Sequence, residues 1–367
     1  MQAIQQLWGW ARAHERHLSA LAMAGGFAFD SYAFGRIDRP ATQAVFIFYL
    51  IMAGVSIAVL HVMESRSPRA PGDVRAVRIH TLLVTATQFA LGALLSGFCV
   101  FYIRSASLGS SWPFLLFMAA IFIGQEYFRE YASRLVFAAL LFFFSLYSYA
   151  ILLVPVMLHR IGTGPFLVSG GVAVAAFFFY MRLLAWAGHE RYRSARLHIR
   201  IGMLVVAALV NGFYFLKVFP PLPLVLSDAG IYHDVRRAGA DFAAASEAEP
   251  PAWRALFGTF PVLHVVAGQK IFLYSAIFAP YRLATAIEHR WEWRDPATGA
   301  WTPQQAVRFS IQGGRENGYR AYSFRTAPKP GQWRVNIVSW DGRAVGRVRF
   351  SVEPAATPPV LTSKLLK

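Results

Sequence analysis

The sequence predicts a membrane-embedded all-α bundle of about seven transmembrane helices, followed by an all-β domain resembling an immunoglobulin-like sandwich. Three observations carry this expectation. The 367-residue chain is 56% hydrophobic with a mean hydropathy of +0.41, above the roughly 45–50% apolar content of soluble proteins. Charged residues make up only 15%, against roughly 25% in a typical soluble chain. The excess is also uneven. Residues 18–219 hold long apolar runs broken by short arginine-bearing loops, whereas the sequence from 220 onward has ordinary soluble composition.

A helix needs about 20 apolar residues to cross a hydrocarbon core of ~30 Å. Seven segments are candidates: 18–35, 43–63, 80–103, 112–128, 134–158, 165–187 and 200–219. The fifth, which includes VFAALLFFFSLYSYAILLVPVML, is the clearest. Asp30 interrupts the first, and Glu126 closes the fourth. The opening MQAIQQLWGWARAHERH is polar and basic, with Trp8 and Trp10 suited to a membrane interface, so the first apolar segment reads as an uncleaved anchor.

Short-loop Lys and Arg set orientation. With seven spans, Arg12, Arg16, Arg66, Arg69, Arg75, Arg78, Arg129, Arg134, Arg191, Arg193, Arg196 and Arg200 share the side of the N-terminus. The opposite side carries only Arg36, Arg39, Arg104, Arg160 and Lys217. This predicts a cytoplasmic N-terminus and a periplasmic C-terminal domain on a protein of the inner membrane.

Pro220 and Pro221 end the last span, because consecutive prolines cannot continue a helix. Residues 220–269 read as junction and linker, although the apolar stretch 255–268, interrupted by Pro261, is short enough for a strand pair or an interfacial element. From Lys270 the period becomes two. Ile271, Leu273, Ser275 and Ile277 alternate with Phe272, Tyr274, Ala276 and Phe278; next, Ile287, His289, Trp291 and Trp293 oppose Glu288, Arg290, Glu292 and Arg294. That alternation marks half-buried antiparallel strands. Asp341-Gly342 is a hairpin signal between two more. The sandwich is therefore expected over 270–355, with 356–367 as a tail. Cys99 is the one cysteine, so the β domain must stand on its core without an internal disulfide.

The run from IFLYSAIFAPYRLATAIEHRWEW through FSIQGGRENGYRAYSFR to GQWRVNIVSWDGRAVGRVRFSV resembles the C-terminal module known as domain of unknown function 2914. PPLPLVLSDAGIYHDV and GGFAFDSYAFGRID resemble segments of the multi-span bacterial membrane proteins that carry it. The resemblance implies a place in the bacterial envelope. It brings no catalytic residues.

Polar groups inside apolar spans are costly and are functional candidates by default. Asp30, Glu126 and Arg129 are the candidate catalytic groups: Glu126 and Arg129 lie three apart on one helical face, as a proton relay or a lipid-phosphate site would require. The same spacing also suits a charge pair bracing a helix end. Arg36 could meet Asp30 or a head group. In the soluble part His289 could line a pocket beside Trp291 and Trp293, or be a satisfied core histidine. Tyr319, Arg320, Tyr322 and Arg325 could form an aromatic–basic ligand surface, while Gly313-Gly314 and Gly318 read as turn residues. The His residues show no metal-ligand spacing, and no cofactor motif, phosphate loop or nucleophile elbow appears. The net charge of +17 lies mostly in the gaps between spans, which argues against nucleic acid as a partner.

These features predict an envelope protein with membrane lipids around it and a periplasmic module for a protein, glycan or lipid partner, without catalysis or cofactor. The alternative is a membrane enzyme or flippase acting on lipid-linked substrates, or a small-solute transporter. The orientation is directly testable. A phosphatase fused after Lys367 should be active and a fluorescent protein at the same point dark; the reverse pattern would overturn the periplasmic assignment.

Overall fold

A computed structural model of the chain describes residues 27–32, 34, 36–66, 74–127, 135–187, 189–239, 241–247, 260–315 and 318–366. The helices are α1 (Pro40–Arg66), α2 (Val74–Ser105), α3 (Leu108–Tyr127), α4 (Leu135–Leu158), α5 (Thr163–Ala187) and α6 (His189–Phe215), after a helical stretch at 27–32. Five of them are long and apolar enough to cross a membrane: α1, α2, α4, α5 and α6. The expected span 112–128 corresponds to α3, whose apolar part Ser111–Gly124 is shorter. Most of the expected span 18–35 lies outside the described residues.

The chain divides into two compact units. The first combines residues up to Ile103 with Leu115–Leu153 and Leu167–Asn211. Its most enclosed helix is α4, with 72% of its span buried, whereas α6 is only 17% buried. Ile201, Leu204, Val205 and Leu209 are exposed on α6. An apolar surface this continuous is costly in water and suits lipid. Inside the unit, Phe46 stacks between Phe98 (5.2 Å) and Phe34 (5.3 Å), and its ring fills the space where a side chain at Gly97 would go. Polar groups find partners within the bundle, as hydrocarbon surroundings demand. Tyr149 Oη donates to Gln43 Oε1 at 2.8 Å, Tyr180 Oη to the Gly54 carbonyl at 2.9 Å, and Asn211 Nδ2 to Tyr147 Oη at 3.0 Å.

The second unit holds Gly212–Lys367 together with Arg104–Phe114 and Val154–Phe166. Its strands are β1 (Val225–Tyr232), β2 (Asp234–Ala238), β3 (Asp241–Ser246), β4 (Val262–Val265), β5 (Lys270–Phe278), β6 (Ala284–Arg294), β7 (Trp301–Gln312), β8 (Tyr319–Thr326), β9 (Gly331–Ser339), β10 (Ala344–Pro354) and β11 (Thr362–Leu366). They form three sheets, in the orders β1-β5-β8, β4-β10-β9-β6-β7 and β11-β3-β2. All pairings are antiparallel except β4 with β10.

Two cores hold the sheets together. Ile271, Leu273 and Ile277 of β5 meet Ile287, Trp291, Trp333, Val335 and Phe350 of the five-stranded sheet. On its other face, β5 sends Tyr274 and Ala276 into a second cluster with Tyr232, Val235, Ala244 and Leu366. Both alternations expected from sequence hold, but β5 is buried on both sides. The β region also exceeds the expected 270–355 limits: β1 to β4 occupy the presumed linker, and β11 the presumed tail. Those strands are short or built of small and charged residues, and their order comes from backbone pairing to better-defined neighbours. The Asp341-Gly342 turn forms as expected, with Gly342 at φ 81° and the Asp341 carboxylate accepting from the Arg343 guanidinium at 2.7 Å.

Helix ends belong to this unit too. Ser105 Oγ donates to the Leu224 carbonyl, and Phe166 stacks on Tyr214 at 3.6 Å. The Arg343 guanidinium lies 3.5 Å from the Tyr214 ring centroid. Trp340 covers Gly162, and the Ala284 N–H donates to the His159 carbonyl at 3.4 Å. Trp333, fully buried between sheets with its indole N–H on the Lys329 carbonyl at 2.8 Å, is the side chain whose loss should hurt most. Trp333→Ala should lower the stability of the β region by about 3–5 kcal/mol, read by denaturant titration with fluorescence detection; a loss under about 1 kcal/mol would contradict this packing.

Candidate functional site

The sequence-predicted candidates are dispersed. Asp30 lies half-buried in the helical stretch 27–32. Arg36 does not pair with it; its guanidinium takes both oxygens of Asp38, at 3.0 and 2.8 Å. A single intervening residue, Ile37, places Asp38 closer to hand than a carboxylate on the preceding helix. Glu126 is in α3, but its side chain and the whole of Arg129 lie outside the described residues.

His289 is a core residue. It is fully buried, because its position on β6 points between the sheets. Nε2 is 2.9 Å from Ser275 Oγ, and Nδ1 is 2.9 Å from Ser323 Oγ, which also accepts the Trp291 indole N–H at 3.0 Å. Burial pushes its pKa down to about 4. A histidine and a serine in contact could suggest nucleophilic catalysis. Here, among the described residues, both ring nitrogens meet serines and no carboxylate, and the ring has no exposed surface.

The expected aromatic–basic surface is split by strand alternation. Ser323 of β8 faces the main core, so Arg320 and Tyr322 face the third sheet, where Arg320 pairs with Asp241 at 2.6 Å and Tyr322 packs on Phe242 and Phe272. Arg325 reaches the Gln304 carbonyl at 3.5 Å. Tyr322 is 39% exposed, and Tyr319 lies on the opposite face of β8 from it. Tyr319 lines a cleft of ≈ 660 Å³ with Tyr281, Arg282, Ala284, Ser310, Ile311, Gln312, Gly313 and Arg315.

This cleft is the candidate site. Its walls are the chain entering β6, the end of β7 with Gly313 and Arg315, and the start of β8 at Tyr319. They are sewn together by the Gly313 N–H on the Leu283 carbonyl (2.8 Å) and the Gly314 N–H on the Ala279 carbonyl (3.1 Å). Gly313 lies so close to the Pro280 carbonyl that no Cβ fits, and Gly314 has φ 107°. Arg282 adopts φ 59°, a left-handed conformation uncommon outside glycine and one that clusters at functional sites. The Arg282 guanidinium lies 5.2 Å from the Tyr281 ring centroid, and that of Arg315 lies 5.5 Å from the Tyr319 ring centroid. Among the described residues, neither pairs with a carboxylate. Nearby strand arginines differ: Glu288 holds both Arg290 (2.7 Å) and Arg308 (3.2 Å), which keep its carboxyl below the usual range. Sequence reasoning named Tyr319 but missed Arg282 and Arg315. The signal was the glycine-rich turn, read as turn chemistry alone. Among the described residues, no group of three or more His, Cys, Asp or Glu is placed to hold a metal ion.

Helix length and apolarity together with the three sheets define the class: a multi-pass membrane protein with a C-terminal β region. Within that region, residues 284–352 match the family described as a protein of unknown function (DUF2914), the segment from β6 into β10. Comparison with curated proteins finds no match. Among solved structures, the chain is similar to the Pseudomonas fluorescens alkylpurine DNA glycosylase AlkC bound to DNA containing an abasic site analog. That likeness is at 10% identity over 84% of this chain and 99% of that one, with a TM-score of 0.23, too low to inform the fold or the activity.

The buried histidine makes stability depend on pH. Its folded pKa is below the unfolded value of about 6.5, so its contribution is complete above pH 6.5 and is lost as pH falls toward about 4. The full loss is roughly 3 kcal/mol. His264 works in the opposite sense, because Glu247 hydrogen-bonds its ring at 2.7 Å and raises its pKa. The difference between wild type and His289→Asn is therefore the readout. In urea titrations at pH 7 and pH 4, the wild type should lose more stability than the variant; equal losses would place His289 in a wetter setting.

Proposed function

We propose that this chain is an inner-membrane protein of the bacterial envelope, with a cytoplasmic N-terminus, whose β region is a non-catalytic binding module facing the periplasm. The two-sheet part of that region is read as an immunoglobulin-like module and the third sheet as an addition to it. Its partner is a lipid, glycan or protein with negative charge. The observation that carries this reading is the cleft at β6–β8, which combines two arginines unpaired by any described carboxylate with two tyrosines on a rigid glycine-sewn floor. Aromatic and Arg side chains with polar edges in one concavity are what ligand sites use. Among the described residues the cleft holds no nucleophile–base pair. Its described hydroxyl groups come from Ser310, Tyr281 and Tyr319, and no histidine or carboxylate among the described residues lines it to activate them.

The competing reading, a membrane enzyme or flippase, would place its chemistry at Glu126, Arg129 or Asp30. Complementation of a deletion strain separates the two. Glu126→Gln preserves size while removing charge and proton exchange, and it should complement fully at normal protein level. The double variant Arg282→Gln/Arg315→Gln should fail to complement while remaining inserted and abundant. Loss with Glu126→Gln and retention with the double variant would reverse the assignment.

A further inference from the structure

The cleft has features that narrow the ligand. Its lining residues carry hydrogen-bond donors: the Arg282 and Arg315 guanidiniums, the Tyr281 and Tyr319 hydroxyls, the Gln312 amide and the Ser310 hydroxyl. Among the described residues no carboxylate lines the cleft. That set matches a phosphate, whose oxygens accept from forked guanidinium groups in pairs. A volume of ≈ 660 Å³ is far more than one phosphate ion fills and suits a phosphate with its attached polar group. Position points the same way. Ala284, in the cleft wall, donates its N–H to the His159 carbonyl at 3.4 Å, and His159 lies in the short connection between the candidate spans Leu135–Leu158 and Thr163–Trp186. A connection of that length between two spans sits at the level of the lipid head groups. Arg282 is two residues before Ala284, and the tyrosine rings supply amphipathic surface of the kind enriched at that level.

We propose that the cleft binds the phosphate-bearing head group of an anionic membrane lipid, held between Arg282 and Arg315. This rests on the reading of the β region as a binding module and specifies its ligand. The head group enters from the bilayer surface beside the His159 connection. The two guanidiniums grip the phosphate, and the tyrosine and glutamine donors take the polar substituent.

Full-length protein in nanodiscs tests this. Retention of phosphatidylglycerol against phosphatidylcholine is read by native mass spectrometry, with inorganic phosphate and glycerol phosphate as soluble probes. Wild type should retain phosphatidylglycerol selectively. At about fivefold per arginine, the Arg282→Gln/Arg315→Gln protein should bind it about 25-fold more weakly. The single variants should each show part of the loss, and Arg290→Gln, outside the cleft, should leave binding intact. Retention unchanged in the double variant would overturn the proposal. Binding of soluble phosphate with the same arginine dependence, without lipid selectivity, would replace the lipid source by a soluble one. If lipid binding survives in the double variant and complementation is lost, the cleft serves another ligand and the binding-module reading stands. If both survive, both readings fall.

Discussion

The β region depends on one strand that is apolar on both faces. Ile271, Leu273 and Ile277 of β5 cannot face water, and neither can Phe272, Tyr274 and Ala276 on the opposite side. A strand with one wet face would expose one set or the other, at about 25 cal/mol per Å². Only a central position between two further sheets buries both. β1 and β8 flank β5 in the middle sheet, and the alternation of β8 is then fixed. Ser323 turns toward His289, and Arg320 and Tyr322 turn toward the third sheet. The fate of three of the four residues expected to form a ligand surface follows from where β5 had to go.

A second constraint ties this region to helix ends. The segments Arg104–Phe114, Val154–Phe166 and Gly212 onward pack with the strands as one unit. The joint is more than apolar contact. Arg343 bonds Asp341 at 2.7 Å while its plane covers Tyr214 at 3.5 Å, and its side chain is nearly buried. A buried guanidinium left without partners is costly. Tyr214 and Asp341 are therefore held where they are by Arg343, and the β9–β10 turn is held against the end of α6. Lys217, at φ 58°, takes the left-handed position that often closes a helix, and the prolines beyond it send the chain into β1.

Legibility followed the strength of the hydrophobic pattern. The long helices, both faces of β5 and β6 and the Asp341-Gly342 hairpin all rest on periodicity or turn chemistry within a short window, which a single sequence carries. β2, β3 and β11 do not. DVRRA, DFAAAS and TSKLL have small or charged side chains at most positions, and their strand state comes from backbone pairing across the sheet. The cleft was harder still, because Arg282 and Arg315 are far apart in sequence and meet only once the β6–β7 hairpin closes. What the sequence did offer was the cluster Gly313, Gly314 and Gly318, which reads as a turn and leaves unsaid what the turn approaches. His289 illustrates the opposite case: its strand face was legible, and its two serine partners came from strands outside the window.

The excess of positive charge acquires meaning through where it is neutralised. With 36 Lys and Arg against 19 Asp and Glu, many cations cannot have a carboxylate of their own, so an unpaired arginine is unremarkable by itself. Position is what discriminates. On the strands the acidic residues are spent on particular arginines: Glu288 on Arg290 and Arg308, Glu292 on Arg334, Asp241 on Arg320, Asp341 on Arg343. Such pairs contribute little stability at an exposed surface, but each removes a cation from the pool that an anion could use. Two cations that no described carboxylate takes, Arg282 and Arg315, line a cleft that is floored by close-packed glycine backbone and whose Ala284 bonds the His159 carbonyl. Other strand cations also lack a described carboxylate, Arg294 bonding Gln332 and Arg349 covering Phe260, so what sets Arg282 and Arg315 apart is the cleft they share.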